Sequence, residues 1–251
     1  MEFIDLKTQY NKIKKHVNRN IDKVLEHGKF IMGPEIQELE DRLSKYVGTK
    51  HAITCSSGTD ALLIPLMAKG IGPGDAVITV SFTFVSTAEV ISMLGATPIF
   101  TDICSKCFNI SENKIEESIN LAKQKGLKPK AIIPVDLFGQ PANYDKIEKI
   151  ADKYQMFVLE DLAQGFGGSQ NGKKTGSFGL CGATSFFPAK PLGCYGDGGA
   201  IFTDNDELAD IMKSIRVHGK GSDKYDNVRI GINGRLDTIQ AAILLAKLDI
   251  F

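Results

Sequence analysis

Residues 131–164 read AIIPVDLFGQPANYDKIEKIADKYQMFVLEDLAQ, and their pattern sets the fold. Two unbroken apolar runs, AIIPV and MFVL, flank a stretch over 142–154 that reads as a helix. Apolar runs without alternation mark strands buried on both faces, as in parallel sheets covered by helices. AVITV at 76–80 has the same character. Working outward, the reading expects strands near 51–55, 76–81, 96–102, 131–135, 157–160, 183–187 and 199–203. Helices are expected near 59–69, 86–94, 112–125, 142–154, 206–215 and 235–249. Strand–helix alternation of this kind implies an α/β architecture with a mostly parallel sheet.

Two amphipathic helices precede the first strand. Ile13, Val17, Ile21 and Val24/Leu25 recur at helical spacing up to Gly28, and Ile36, Leu39, Leu43 and Val47 do so up to Gly48. Gly33-Pro34 breaks the chain between them. At the other end, RLDTIQAAILLAKLDIF carries no stop signal, so the reading expects a helix that continues past Phe251.

Composition narrows the function. The chain has 251 residues, 43% of them hydrophobic, with 30 basic and 30 acidic side chains and zero formal net charge. That balance gives no general footprint for nucleic acid. No apolar run approaches the ~20 residues of a membrane helix, and MEFIDLKTQY is not a secretion signal. The expectation is a soluble chain of the cytoplasm, in which the sequon at Asn109 has no meaning. Cys104 and Cys107 form a lone C-x-x-C, while Cys55, Cys181 and Cys194 are scattered singly. Without a second pair or a histidine cluster they are read as reduced structural thiols and not as a zinc site.

Most glycine-rich candidates fail. Gly167 to Lys173 has P-loop spacing, but Lys174 stands where a magnesium-binding Ser or Thr is needed. Asn171-Gly172 within it signals a tight hairpin turn instead. No G-x-G-x-x-G follows a strand, and no H-E-x-x-H exists.

A different constellation survives. The first strand ends in Ser56-Ser57-Gly58-Thr59-Asp60, a small-residue turn into an apolar helix; it suits a phosphate and equally an ordinary helix cap. The strand at 157–160 ends in Glu160-Asp161-Leu162-Ala163-Gln164, where parallel sheets place ligands. Lys190, two residues after Pro188 and directly before Pro191, is held off any regular helix on an irregular loop. A phosphate cradle, a strand-end acid and a loop amine together match what pyridoxal phosphate requires.

These residues carry a resemblance. SSGTDAL, SFTFVSTAEV, LFGQPANYD, LEDLAQGFG, SFFPAKPLGCYGDGGAIFT and GINGRLDTIQAAIL are similar to the DegT/DnrJ/EryC1/StrS sugar aminotransferases. The resemblance implies a three-layer type I aspartate aminotransferase fold with a mostly parallel mixed sheet. It implies that Lys190 takes the cofactor's aldehyde and moves the proton, and that Asp161 pairs with the ring nitrogen. Ala163 would lie beneath the ring, Phe84 over it, and Gln164 would bond its 3′ oxygen. Gly58, Thr59 and Ser185 would hold the phosphate, with Asn233 reaching the phosphate of a partner in a homodimer. His218 and Arg235 are candidates for substrate contact, and no metal is expected.

The family branch that aminates UDP-2-acetamido-2-deoxy-3-oxo-glucuronate for bacterial surface polysaccharides is the nearest in wording of its motifs, with glutamate as donor. The competing readings are a dTDP- or GDP-linked keto-6-deoxyhexose as acceptor, or a fragment that binds cofactor and dimerises without turnover. In domain terms, residues 1–50 are expected to pack as a helical segment on a large domain over 51–251. The family's small C-terminal domain would then lie outside this chain. Asp136 stands where many relatives carry histidine, which bears on the choice of sugar.

Overall fold

The structure is a computed structural model that describes residues 4–223 and 225–251. In chain order it comprises α1 (Leu6–His27), α2 (Pro34–Val47), β1 (His51–Cys55), α3 (Gly58–Ala68), β2 (Asp75–Val80), α4 (Ser86–Met93) and β3 (Thr97–Thr101). There follow α5 (Ile115–Gln124), β4 (Lys128–Ile132), α6 (Tyr144–Lys153) and β5 (Phe157–Asp161). The chain then forms β6 (Ser169–Gln170), β7 (Lys173–Lys174), β8 (Cys181–Ser185), β9 (Gly199–Thr203), α7 (Asp206–Ile215) and α8 (Thr238–Leu248).

Seven strands form one sheet in the order β1-β9-β8-β5-β4-β2-β3. The pairs from β8 through β3 are parallel, while β9 runs antiparallel to both β8 and β1. Only β9 is reversed, so the sheet is mixed and mostly parallel, as the apolar runs imply. The consequence is spatial: β1, β2, β5 and β8 all deliver their carboxyl ends to one edge.

Strand alternation sends neighbouring side chains to opposite faces. Ile53, Val77 and Ile201 pack with Leu62, Leu66, Val90 and Met212 from α3, α4 and α7. Ala76, Ile78 and Val158 face Ile115, Ile119 and Ile147 from α5 and α6. On that second face Ala52 and Phe202 meet Leu39, Leu43 and Leu244 from α2 and α8. Three layers result. A buried ion pair ties α2 to the end of α7: Arg216 Nη1 lies 2.5 Å from Glu40 Oε1, which also accepts from the Thr54 amide at 2.8 Å. Charges at this depth persist because each is hydrogen-bonded as well as paired.

Several boundaries differ from the sequence reading. β4 lies three residues before the 131–135 window, because Pro134 has no N–H to give and the ladder with β2 is irregular at Ala76/Val77. An isolated parallel bridge between Val135 and Asp161 carries the pairing past the proline. β8 ends at Ser185, two residues early, and α8 begins at Thr238 and ends at Leu248. Beyond it Phe251 folds back on Phe166 and Tyr46, with ring centroids 5.5 and 5.6 Å apart. The hairpin forms as Asn171-Gly172 predicts, with positive φ at both residues joining β6 to β7.

Candidate active site

A cavity of about 370 Å³ opens at the edge where the parallel strands end. Its phosphate end is built by β1 and α3. Ser57 caps α3, its side chain accepting from the Asp60 amide at 3.0 Å, and the Ser56 hydroxyl is bonded to the Asp60 carboxylate. The first backbone bond of the helix runs from Ala61 N–H to Ser57 O, so the N–H groups of Gly58 and Thr59 precede the ladder and remain outward donors. Gly58 is required by a close approach: a Cβ there would sit 2.6 Å from the Ser185 Cβ. The turn thus serves as helix cap and as cradle.

The acid comes from the last residue of β5. Glu160 and Asp161 are adjacent on a strand and so point to opposite faces; Asp161 lines the cavity. Asp161 Oδ2 accepts from the Thr87 hydroxyl at 2.8 Å and Oδ1 from the Ala163 amide at 3.2 Å. Burial pushes its carboxyl above the ordinary range, against the pull of Thr87, Ala163 and Lys190.

The amine comes from the loop between β8 and β9. Phe186 N–H donates to Gly198 O, Cys194 N–H to Phe186 O, and Lys190 N–H to Phe187 O, which closes the loop tightly. Gly193 fits only without a side chain, since a Cβ would lie 2.4 Å from the Pro188 carbonyl oxygen. Lys190 lines the same cavity as Asp161. Burial holds its amine below the ordinary lysine range, and Asp161 partly offsets that.

Flat surfaces complete the cavity. Ala163 lies in its wall, and Phe84 stands at the mouth with 67% of its surface exposed. Gln164 Oε1 accepts from the Phe138 amide at 3.0 Å, which leaves the Nε2 hydrogens as donors. Leu162 is fully buried and packs with the core, away from the cavity. Gly58, Thr59, Phe84, Asp161, Ala163, Gln164, Ser185 and Lys190 therefore line one cavity. Asn233, His218 and Arg235 stand outside its lining; Asn233 and His218 are exposed, and Arg235 Nη2 donates to Asn233 Oδ1 at 2.6 Å.

The sequence model of the DegT/DnrJ/EryC1/StrS aminotransferase family matches residues 11–251. The chain belongs to this family. It is 52% identical over all 251 residues to the UDP-2-acetamido-2-deoxy-3-oxo-D-glucuronate aminotransferase of Pseudomonas aeruginosa, covering 68% of that protein. The crystal structure of a DegT DnrJ EryC1 StrS aminotransferase from Brucella abortus superposes with a TM-score of 0.98 at 53% identity, over 100% of this chain and 67% of that one. NtdA from Bacillus subtilis, solved with bound cofactor PMP, gives a TM-score of 0.90 at 35% identity over 99% of this chain and 55% of its own. The chain thus spans roughly two thirds or less of the length of the relatives it matches.

Two features of this family member escape the sequence reading. Thr87, which orients Asp161, reads in sequence as an ordinary first-turn threonine of α4. The second is a buried acid pair on the core side of the site. Asp136 and Glu160 are both fully buried. Glu160 accepts from the Gly176 and Phe178 amides at 2.8 and 3.1 Å; Asp136 Oδ1 accepts from the Ala142 amide at 2.9 Å and the Tyr144 hydroxyl at 2.8 Å. Asp136 Oδ2 is buried with no donor, and the Glu160 carboxyl is the group beside it. Two carboxylates at that range share a proton. Its burial places Asp136 in this scaffold and not in sugar contact.

This pair sets a pH dependence. Burial pushes Asp136 from 3.8 to about 6, and Glu160 also rises, from burial first and then from Asp136. Between those values the folded chain holds a proton that the unfolded chain has released. Its contribution to stability is complete below the unfolded value and is lost as pH rises to about 6. Asp136→Asn keeps the acceptor for Ala142 and Tyr144 and offers Glu160 a neutral donor. The variant is expected to gain about 2–3 kcal/mol over the native chain at pH 7, with little difference at pH 4. Urea midpoints at the two pH values test this; an equal or opposite offset removes the shared proton from the account.

Proposed function

We propose that this chain is the cofactor-binding part of a pyridoxal-phosphate aminotransferase that moves an amino group from glutamate to the 3-keto carbon of UDP-2-acetamido-2-deoxy-3-oxo-glucuronate. The convergence of Lys190, Asp161 and the Gly58-Thr59 turn in one cavity carries the reading. The 52% identity to the Pseudomonas aeruginosa enzyme supports the choice of sugar. When bound, pyridoxal phosphate supplies an aldehyde and an electron sink for the amine's carbon.

The chain's own groups do the rest. Gly58 and Thr59 N–H groups with the Ser185 hydroxyl would hold the phosphate at the positive end of α3. Asp161 would keep the ring nitrogen protonated, and Gln164 would donate to the 3′ oxygen. Ala163 and Phe84 would bound the ring. Lys190, its amine lowered by burial and partly raised again by Asp161, would take a proton from the substrate carbon and return it. We read the working unit as a homodimer of the cytoplasm, in which the exposed Asn233 reaches the partner's phosphate. The exposed Val85 and Ile230, 62% and 85% accessible, support an apolar surface for that contact.

Visible absorption of the chain with pyridoxal phosphate is the first test. Glutamate is expected to bleach the long-wavelength band, with 2-oxoglutarate as product, and the UDP-linked 3-keto-uronate is expected to restore it. Restoration only by dTDP- or GDP-linked keto-6-deoxyhexoses would overturn the sugar. A band that ignores glutamate would overturn the donor or show that this chain alone lacks turnover.

A further inference from the structure

The loop after β3 lies outside the cofactor cavity, and it carries the C-x-x-C motif that the proposed reaction does not use. Ile103 and Ile110 pair as an isolated antiparallel bridge, which closes the loop at its base. Cys104 N–H donates to Asn109 O at 2.8 Å, and Phe108 N–H donates to Cys104 O at 2.9 Å. The second bond makes residues 104–108 one turn of helical pitch, on which side chains three apart are neighbours. Each thiol shifts the other's titration, as close neighbours on such a turn do.

The loop is ordered before any ligand arrives. Asn109 is buried; its Nδ2 donates to Gln140 O at 2.9 Å and its Oδ1 accepts from the Leu137 amide at 3.1 Å. A turn pinned this way keeps both sulfurs together at little further entropic cost. Both are partly exposed, and a cleft of about 310 Å³ bordered by Glu112, Gln140, Asn143 and Gln170 opens on them.

Chemistry separates this pair from the other cysteines. Backbone N–H groups of Cys107 and Lys106, then the Cys107 thiol, hold Cys104 below the ordinary thiol range, whereas burial raises Cys107. Cys55, Cys181 and Cys194 are buried, and burial pushes the last two up to about 12 and about 11. A metal is the weaker occupant. No group of three or more ligating side chains occurs among the described residues, and nearby Glu112 is already bonded to Lys146 and Asn143 at 2.8 and 3.0 Å.

We propose that Cys104 and Cys107 form a thiol–disulfide exchange site for low-molecular-weight disulfides, with oxidised glutathione as the representative. The Cys104 thiolate attacks one sulfur of the disulfide, forming a mixed disulfide and releasing one glutathione thiolate. Cys107 then gives its proton to solvent and attacks the Cys104 sulfur. The internal disulfide forms, and the second glutathione thiolate leaves. The protein loses two hydrogens, and one disulfide is reduced to two thiols.

Lys106 lies between the two cysteines, and this gives a direct readout. The reduced chain is incubated with oxidised glutathione, its free thiols are alkylated, and it is unfolded and digested with trypsin. The expected product is a pair of peptides, cut after Lys106 but still joined, while Cys55, Cys181 and Cys194 are alkylated. Cys107→Ser is expected to stop at glutathione on Cys104. Cys104→Ser is expected to take up glutathione at Cys107 at least about tenfold more slowly. Circular dichroism matched to the native chain shows that both variants fold. Alkylation of both cysteines after the oxidant, or equal uptake by the two variants, overturns the proposal.

Discussion

Lys190→Ala is expected to fold, to bind pyridoxal phosphate, and to show only the absorbance of the free aldehyde. Amino transfer is expected to fall by about 10⁴-fold or more, because the variant loses both the covalent attachment and the general base. The fold is spared for a physical reason. Lys190 stands on a loop held by backbone bonds of Phe186, Cys194 and Gly198, and burial already disfavours its charge. Removing it leaves no partner stranded, since Asp161 keeps its bonds from Thr87 and Ala163. Absorbance and a single-turnover assay with glutamate measure the two effects together. A Lys190→Ala chain with an unchanged long-wavelength band would assign the attachment to another amine.

Particular residues show how far the sequence could be read. AIIPV and MFVL are apolar because helices cover both faces of the sheet, so the parallel core was legible from the sequence. Asn171-Gly172 and the prolines around Lys190 were legible because both act through local backbone geometry. Thr87 was not: its partner Asp161 is 74 positions away, and only the β2–α4 crossover brings them together. The Asp136–Glu160 pair was equally hidden. Alternation puts Glu160 and Asp161 on opposite faces, but which face is core depends on the pairing of β5 with β8. Pro134 misled in a definite way, since an apolar run does not show where its ladder bonds stop.

Site residues follow the same division. Those fixed by strand ends and short turns, Gly58, Asp161, Ala163, Ser185 and Lys190, meet in the cavity. Asn233, His218 and Arg235 belong to the irregular stretch between α7 and α8, which meets the end of β1 through the Ser56 N–H to Gly234 O bond but sends none of these three side chains into the cavity lining. Their roles were drawn from resemblance alone and stand as proposals for a second copy and for the sugar.

Asp161→Asn separates what the site does for the fold from what it does for the reaction. In the chain without ligand, burial raises the Asp161 carboxyl, so its charged form is a cost to folding that grows as pH rises through its folded value. An asparagine of the same shape carries no charge and can still accept from Thr87 or Ala163. The ligand-free variant is therefore expected to be at least as stable as the native chain near pH 7 in urea unfolding. Its amino transfer is expected to fall on the order of 10²–10³-fold, the scale of losing one buried electrostatic partner of the reacting system. In the proposed role an amide would not hold a proton on the ring nitrogen, so the electron sink would weaken while Ala163 and Phe84 would still bound the ring. Cofactor affinity should consequently change less than turnover. A variant that loses stability but keeps its rate would make Asp161 a structural acid and move the ring's partner elsewhere.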